Sequence, residues 1–333
     1  MIPSATKRIP GVCLLLAAAL LLSVLLGLSL GSAGGTFRGA INVLTGIGDP
    51  NSILASIVWR IRLPRVVLAS LVGAALSLGG LVFQTLLKNP IAEPYVLGVS
   101  GGAAVGAIMG ILLGLPRFPG VAGLAFAGSM ATLLLVFVIV SGRSAMKGDS
   151  LILAGVMVNA FCSSVIMFLV SMTQDARLHN ILFWLMGDLS TTDGIQIRVL
   201  SMMTVPCFIL LLFFARPMNL LLMGEEMAAN MGVNVRLIPM ALVGITSFMV
   251  SATVCHSGPL GFVGLVVPHV LRLLFGPDHR LLIPSCILGG AAYLVLCDLL
   301  ARSLPSHGEM PVGVVTAAIG APLFIFLLAR SRR

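Results

Sequence analysis

The stretch "RIRLPRVVLASLVGAALSLGGLVFQTLLKNPIAEPYVLGVSGGAAVG", residues 60–106, carries four kinds of segment in succession. Arg60, Arg62 and Arg65 open it, and an apolar run over 65–87 follows. A proline-bounded polar turn, "NPIAEP" at 89–94, comes next, and then glycine at every fourth residue from Gly98. The apolar run decides the fold. As a helix it is long enough to cross the hydrocarbon core of a bilayer, which is about 30 Å thick.

Working outward, the same kind of run recurs along the chain. Approximate spans fall at 11–31, 65–87, 95–115, 119–140, 151–172, 194–214, 237–255, 259–275, 281–301 and 311–329. The eighth is short and flanked by glycine, the pattern of a broken or re-entrant helix. Of 333 residues, 58% are hydrophobic and 9% charged, and the mean hydropathy is +1.11. A soluble domain carries roughly 25% charged residues, so this chain uses lipid as solvent. Backbone in hydrocarbon must satisfy its own hydrogen bonds. The expectation is therefore an all-α integral membrane protein of about ten transmembrane helices, one membrane domain over 1–333. The first run follows Lys7 and Arg8 but exceeds the 7–15 residues of a signal core, and it reads as an uncleaved span.

The basic residues give an orientation. With the N-terminus inside, the outer segments hold Arg38, Arg60, Arg62, Arg65, Arg117, Arg177, Arg198 and Arg302, and the inner ones hold the rest of the 20 Lys and Arg. The excess lies inside, so both termini are expected in the cytoplasm. Trp59 and Trp184 fall at outer boundaries, where indole rings favour the interface. Arg60, Arg62, Arg65 and Arg302 stand against the orientation rule. Either they snorkel to headgroups or they receive an acidic partner, since the guanidinium fork suits carboxylates. Asp298, four residues before Arg302, offers that arginine a simple intrahelical pair.

Chemistry within the chain is sparse. Cys13, Cys162, Cys207, Cys255, Cys286 and Cys297 lie in or beside apolar spans with no metal-ligand spacing. No HExxH, GxSxG or GxxxxGK[ST] motif occurs, which leaves no encoded energy source. The carboxylates sit at span ends or in loops, whereas an ion-coupled carrier keeps ionisable groups near the midplane. A proton-coupled secondary carrier and a membrane-embedded enzyme are the competing classes. Among the loops, "GEEMAANMGVNVRLIP", residues 224–239, is too polar to span. Glu225 and Glu226 suit a helix N-terminus, and Met227, Ala228 and Met231 are expected on one face of a short helix, with methionines adaptable to a protein partner.

The turn at 89–94 has its own logic. Pro90 and Pro94 push Asn89 and Glu93 out of helical conformation. Pro94 can start the next helix, with Glu93 near the positive end of its dipole. The glycines at 98, 102, 106, 110 and 114 then form a stripe that permits close helix approach, whether for packing alone or for sliding.

At this level of detail the chain resembles the permease subunits of the ATP-binding-cassette (ABC) importers for iron chelates, heme and cobalamin. The resemblance rests on the opening stretch and on "LILAGV", "FWLMGDLS", "RPMNLLLMGEEMAANMGVNV", "GPLGFVGLVVPHVLRLLFGPDHRLLIPSC" and "EMPVGVVTAAIGAPLFIFLL". It implies a type II importer bundle and a homodimer in the bacterial inner membrane. Two ATPase subunits would sit on the cytoplasmic side and a periplasmic substrate-binding protein outside, with no nucleic acid involved. ATP and magnesium would be used by the ATPase subunits, with no cofactor on this chain, which is then not itself an enzyme. The resemblance maps binding-protein docking to Arg62, Arg65 and Arg302, and the cytoplasmic gate to Asn89, Ile91, Gly148 and Asp149. The last two depart from the small polar residues of the family pattern. It maps ATPase coupling to a short helix at about 221–234, through Gly224, Glu225, Glu226, Met227, Ala228 and Gly232. A ferric siderophore is the expected cargo, with heme and cobalamin as alternatives.

Overall fold

The computed structural model describes residues 5–31, 37–47, 52–141, 148–173, 175–190, 192–305 and 308–331. Among them every regular element is helical. Seven helices are long and apolar enough to cross a membrane: Ile9–Ser29, Ile53–Leu86, Arg117–Val140, Ser150–Ser171, Gly194–Phe213, Leu237–Ser257 and His279–Ser303. Three shorter apolar helices, Val99–Leu112, Val263–Phe275 and Val312–Leu327, complete the set. Together they fall one to one on the ten expected spans. Below, α1 is Ala5–Ser29, α2 Phe37–Leu44, α3 Ile53–Ile57, α4 Leu63–Leu86, α5 Val99–Leu112, α6 Ala122–Ser141 and α7 Gly148–Ser171. The rest are α8 Asp175–Leu185, α9 Gly194–Phe213, α10 Ala215–Leu222, α11 Glu225–Asn230, α12 Leu237–Ser257, α13 Val263–Phe275, α14 His279–Ser303 and α15 Val312–Ser331.

Helix α4 is the axis of the bundle. It follows α3 through a π-helical turn at Val58–Arg62 and is buried along nearly its whole length. Small residues set how near its neighbours lie. A Cβ on Gly80 would overlap the backbone of Gly264 in α13, and one on Gly73 would overlap Gly290 O in α14. Such contacts allow backbone-to-backbone packing in a medium where hydrophobic burial does not drive helices together.

The glycine stripe behaves as its spacing implies. Gly102 and Gly106 lie against the backbone of α6 at Gly128 and Leu124. The helix itself begins later than Pro94, however. Residues 89–98 fold as successive turns, with Ala92 N donating to Asn89 O (3.1 Å), Val96 N to Glu93 O (3.2 Å) and Gly98 N to Tyr95 O (2.9 Å). Gly98, left-handed at φ 77°, then starts α5 at Val99. A 14-residue helix rises only about 21 Å, so the turns supply the remaining depth.

The eighth span is broken, as its flanking glycines suggested. Residues 258–262 leave the end of α12 in non-helical conformation, Phe262 takes a left-handed φ of 67°, and the 13-residue α13 starts there. Trp184, expected at an interface, is instead 6% exposed within the core, while Trp59 is 49% exposed.

Candidate functional site

Two ends of the bundle carry the polar groups. At one end α1, α4, α14 and the segment before α15 converge on three arginines. Arg62 Nη1 donates to Leu28 O (2.9 Å) and Ser29 O (3.0 Å) at the end of α1. Arg65 Nε donates to Asp298 Oδ1 (2.8 Å), and its Nη1 donates to Glu309 Oε2 (2.5 Å). Arg302 pairs with Asp298 Oδ2 at 3.1 Å and donates to Gly27 O at 3.2 Å. The Asp298–Arg302 spacing seen in the sequence is thus realised, and Arg65 joins it from another helix. All three arginines are buried, at 2–4% exposure, over a carboxylate that is fully buried. Sequence position alone had them pointing outward. What it missed is that Asp298 serves Arg65 as well as Arg302, and that the end of α1 supplies carbonyls to Arg62 and Arg302.

The same end holds a second pair. Arg117 Nη1 donates to Asp188 Oδ2 (2.9 Å), and Ser190 donates to both oxygens of that carboxylate. Burial alone would raise the Asp188 carboxyl, but the Arg117 charge and the Ser190 hydrogen bonds outweigh it and hold the group below the usual carboxylate range. Asp188 N also donates to Ser257 O (2.8 Å), anchoring the end of α12.

At the opposite end the 89–94 turn is held by its own chain. Asn89 N donates to Gln84 O (3.2 Å), and Asn89 Oδ1 accepts from Ile91 N (3.1 Å), an Asx turn that needs this short amide side chain. Ile91 is thereby presented at 49% exposure. Glu93 faces a different helix from the one its sequence position suggested. Its carboxylate accepts from Phe262 N (3.2 Å) at the start of α13, because the turns carry it away from α5. Tyr95 OH bridges Leu260 O and Leu260 N, both at 3.0 Å. Pro94 packs onto Gly264, where a Cβ would lie 2.6 Å from its ring. The turn and the non-helical segment 258–262 are therefore one fastened unit. Gly148 and Asp149 begin α7, but their side chains lie outside the described residues.

A short helix forms within the expected 221–234 segment, over Glu225–Asn230. Gly224 (φ 111°) precedes it and Gly232 (φ 85°) ends it, conformations that glycine alone adopts readily. Ala228 does not share a face with the methionines: it is fully buried, while Met227 and Met231 are 49% and 59% exposed. Glu225 and Glu226 are exposed beside them.

A partly buried chain of polar contacts joins this neighbourhood to the 89–94 turn, and sequence reasoning did not find it. Asn219, in α10 just before α11, donates from Nδ2 to Asp278 Oδ1 (2.7 Å). Its Oδ1 lies 2.7 Å from His279 Nδ1 and accepts from His279 N at 2.9 Å. His279 Nε2 lies 2.7 Å from Thr85 Oγ1. Thr85 is in the last turn of α4, and Lys88 N donates to its carbonyl (3.3 Å) immediately before Asn89. His279 is fully buried. The "RPMN" and "GPDHR" stretches contain three members of this chain, Asn219, Asp278 and His279, and Thr85 lies in "FQTLL", yet nothing in one sequence says that they touch.

Residues 19–330 match the profile of the FecCD transport family. The chain belongs to the FecCD transport family. Over 277 residues it is 41% identical to the vitamin B12 import system permease protein BtuC of Klebsiella pneumoniae, covering 83% of each chain. Over 326 residues it is 40% identical to YvrB of Bacillus subtilis, an uncharacterised ABC transporter permease, covering 94% of this chain and 92% of that one. A solved structure of a metal-chelate type ABC transporter in an inward-facing conformation matches with a TM-score of 0.86 and 30% identity, over 96% of this chain and 99% of that one. This FecCD protein is a multi-pass permease subunit of an ABC importer, a transport component rather than an enzyme.

Proposed function

We propose that the chain forms half of a homodimeric pathway for ATP-driven import of a bulky metal chelate across the bacterial inner membrane. The observation that carries this reading is the polar chain from Asn219 through His279 to Thr85, which links α10, the helix that leads into α11, to the end of α4 just before the turn bearing Asn89 and Ile91. In this reading the arginine end faces outward and both termini lie in the cytoplasm. A periplasmic binding protein docks over Arg62, Arg65 and Arg302, where its carboxylate competes with Glu309 for Arg65. A cytoplasmic ATPase subunit seats on Glu225, Glu226, Met227 and the glycine-framed helix, with Ala228 locking that helix to the bundle and Gly232 ending it. Asn89 and Ile91 form the cytoplasmic gate with Gly148 and Asp149 at the start of α7. ATP and magnesium belong to the ATPase, and no cofactor is assigned to this chain.

For the cargo, identity to vitamin B12 permeases supports a corrinoid, and likeness to a metal-chelate transporter supports a ferric chelate. The deciding experiment reconstitutes the permease with its ATPase and binding protein in proteoliposomes. Ferric siderophores, heme and cobalamin are then offered in turn. Uptake of one of them that requires ATP is expected. Uptake by this chain alone, driven by a pH gradient, would refute the reading in favour of a proton-coupled carrier.

A further inference from the structure

Two open cavities lie along helix α9. The first, about 440 Å³ at the arginine end, is lined by Arg60, Arg117, Phe118, Asp193 and Gln196 among others. The second, about 480 Å³, lies between α9 and α12 and is lined by Met203, Pro206, Leu210, Gly244, Ile245 and Phe248 among others. Gln196, Met203 and Leu210 are seven residues apart, a step that returns a helix to within about 20° of the same face. The cavities are therefore stacked on one face of α9, with Gln196 and Met203 separated by a rise of about 10 Å. The second cavity is apolar, and at Gly244 an added Cβ would meet nothing within 4 Å. The first is charged. Arg117 on its wall is committed to Asp188, but Arg60 and Asp193 are exposed, and neither side chain makes a hydrogen bond or ion pair with the described residues. The 20 residues of α9 rise about 30 Å, the thickness of the hydrocarbon, so Asp193 stands at headgroup depth just before the helix begins. Trp59, exposed beside Arg60, marks the same level.

We propose that the two cavities are one binding site for a phospholipid whose headgroup is zwitterionic and carries a primary ammonium, as in phosphatidylethanolamine. The phosphate sits on Arg60, the ammonium on Asp193, and one acyl chain runs down α9 into the groove at Gly244. Opposite charges that do not pair with each other offer an anion site and a cation site in one cavity. A simple anion placed there is repelled by Asp193 and a simple cation by Arg60, whereas a zwitterion satisfies both. The guanidinium fork matches phosphate oxygens, and a primary ammonium brings three N–H donors to the carboxylate. A trimethylammonium brings none. The apolar groove points to a lipid over a soluble zwitterion, because it continues the charged cavity along the same helix face into the hydrocarbon, where acyl chains are the solvent. The site is separate from the buried Arg62, Arg65 and Arg302 cluster and holds whichever cargo the permease carries.

The test titrates the intact permease in detergent with phosphatidylethanolamine, phosphatidylcholine and phosphatidylglycerol of identical acyl chains, and reads bound lipid by native mass spectrometry. Phosphatidylethanolamine is expected to bind about tenfold more tightly than the other two, the size of one charge-assisted contact. Arg60→Gln and Asp193→Asn should each erase that preference, and Arg60→Lys, which keeps the charge, should keep most of it. Arg198→Gln, at an exposed arginine of α9 that does not line the cavity, should change nothing. Gly244→Leu fills the groove and should weaken all three lipids alike while preserving their order. These positions are exposed or open to added volume, so monodisperse protein is the control in every case. Equal binding of the three lipids overturns the proposal, as does a preference that survives Arg60→Gln. Tighter binding of phosphatidylglycerol overturns it by making Arg60 an ordinary interfacial anchor. Unchanged affinity in Gly244→Leu separates the two cavities and refutes the single site. Free phosphoethanolamine competing as well as the lipid assigns the charged cavity to a soluble zwitterion and refutes the lipid.

Discussion

Replacing Asp298 with asparagine keeps the shape of the side chain and removes one charge from a fully buried site. Two guanidinium groups then compete for what remains. Arg65 keeps Glu309 at 2.5 Å, whereas Arg302 keeps only the carbonyls of Gly27 at 3.2 Å and Asp298 at 3.4 Å. Breaking a buried ion pair by removing one partner costs about 3–5 kcal/mol. With Arg65 still paired, the lower end applies, about 3 kcal/mol. Glu309→Gln removes a carboxylate whose side chain is 37% exposed, so its pair is screened by water and is worth about 0–1 kcal/mol. Equilibrium unfolding in mixed micelles, followed by the fluorescence of Trp59 and Trp184, reads both variants against wild type. Asp298→Leu combined with Arg302→Met should regain much of the loss, because an apolar pair removes the unmatched charge while Arg65 keeps Glu309. Equal destabilisation by Asp298→Asn and Glu309→Gln, or a loss below about 1 kcal/mol for the former, would refute the argument that this acid holds the arginine end together.

Gly80→Ala places a Cβ into the Gly264 backbone and should cost about 1–3 kcal/mol by overpacking. Gly123→Ala, which meets nothing within 4 Å, should be neutral in the same unfolding assay. Thr85→Val removes the last contact of the His279 chain together with the hydroxyl's own hydrogen bond to Leu81 O (2.8 Å). Losing the contact with His279, about 1 kcal/mol, should lower cargo moved per ATP roughly fivefold, with ATPase activity retained. Unchanged stoichiometry would make the chain purely structural. The Asp188 carboxyl is held below its ordinary value, so its contribution to stability is complete above the unfolded value of about 3.9 and is lost as pH falls below it. The stability gap between wild type and Asp188→Asn should therefore be constant from pH 7 to 5 and begin to narrow only as pH falls below about 3.9.

The spans were legible because burial in lipid leaves a one-dimensional trace, and ten apolar runs became ten helices in the expected order. The break before α13 was legible for the same reason, since Gly258 and Gly261 shorten that run. The side-chain geometry was less so. Glu93 stands beside Pro94 in sequence, yet its partner Phe262 N lies 169 residues away. Arg65 lies 233 residues from Asp298, and His279 lies 194 from Thr85. Periodicity reports which face of a helix is apolar and nothing about which helix it meets. The face of α11 was misjudged because Met227 and Ala228 are adjacent residues, about 100° apart on a helix, and only Ala228 turns inward.

Helix α13 has a consequence for how the protein is made. Its 13 residues rise about 20 Å, short of the roughly 30 Å of hydrocarbon, and the non-helical residues before it carry backbone groups that pair only with a distant part of the chain. A translocon releasing this segment alone would deliver it to lipid with those groups exposed, a cost of several kcal/mol each. Their partners, Glu93 for Phe262 N and Tyr95 for both polar groups of Leu260, come from a turn synthesised more than 160 residues earlier. Biogenesis therefore has an order. The α4 helix and the 89–95 turn must already stand as a template when α12 and α13 leave the ribosome. A chain damaged at that turn would fail first in the membrane insertion of α13, far downstream of the lesion.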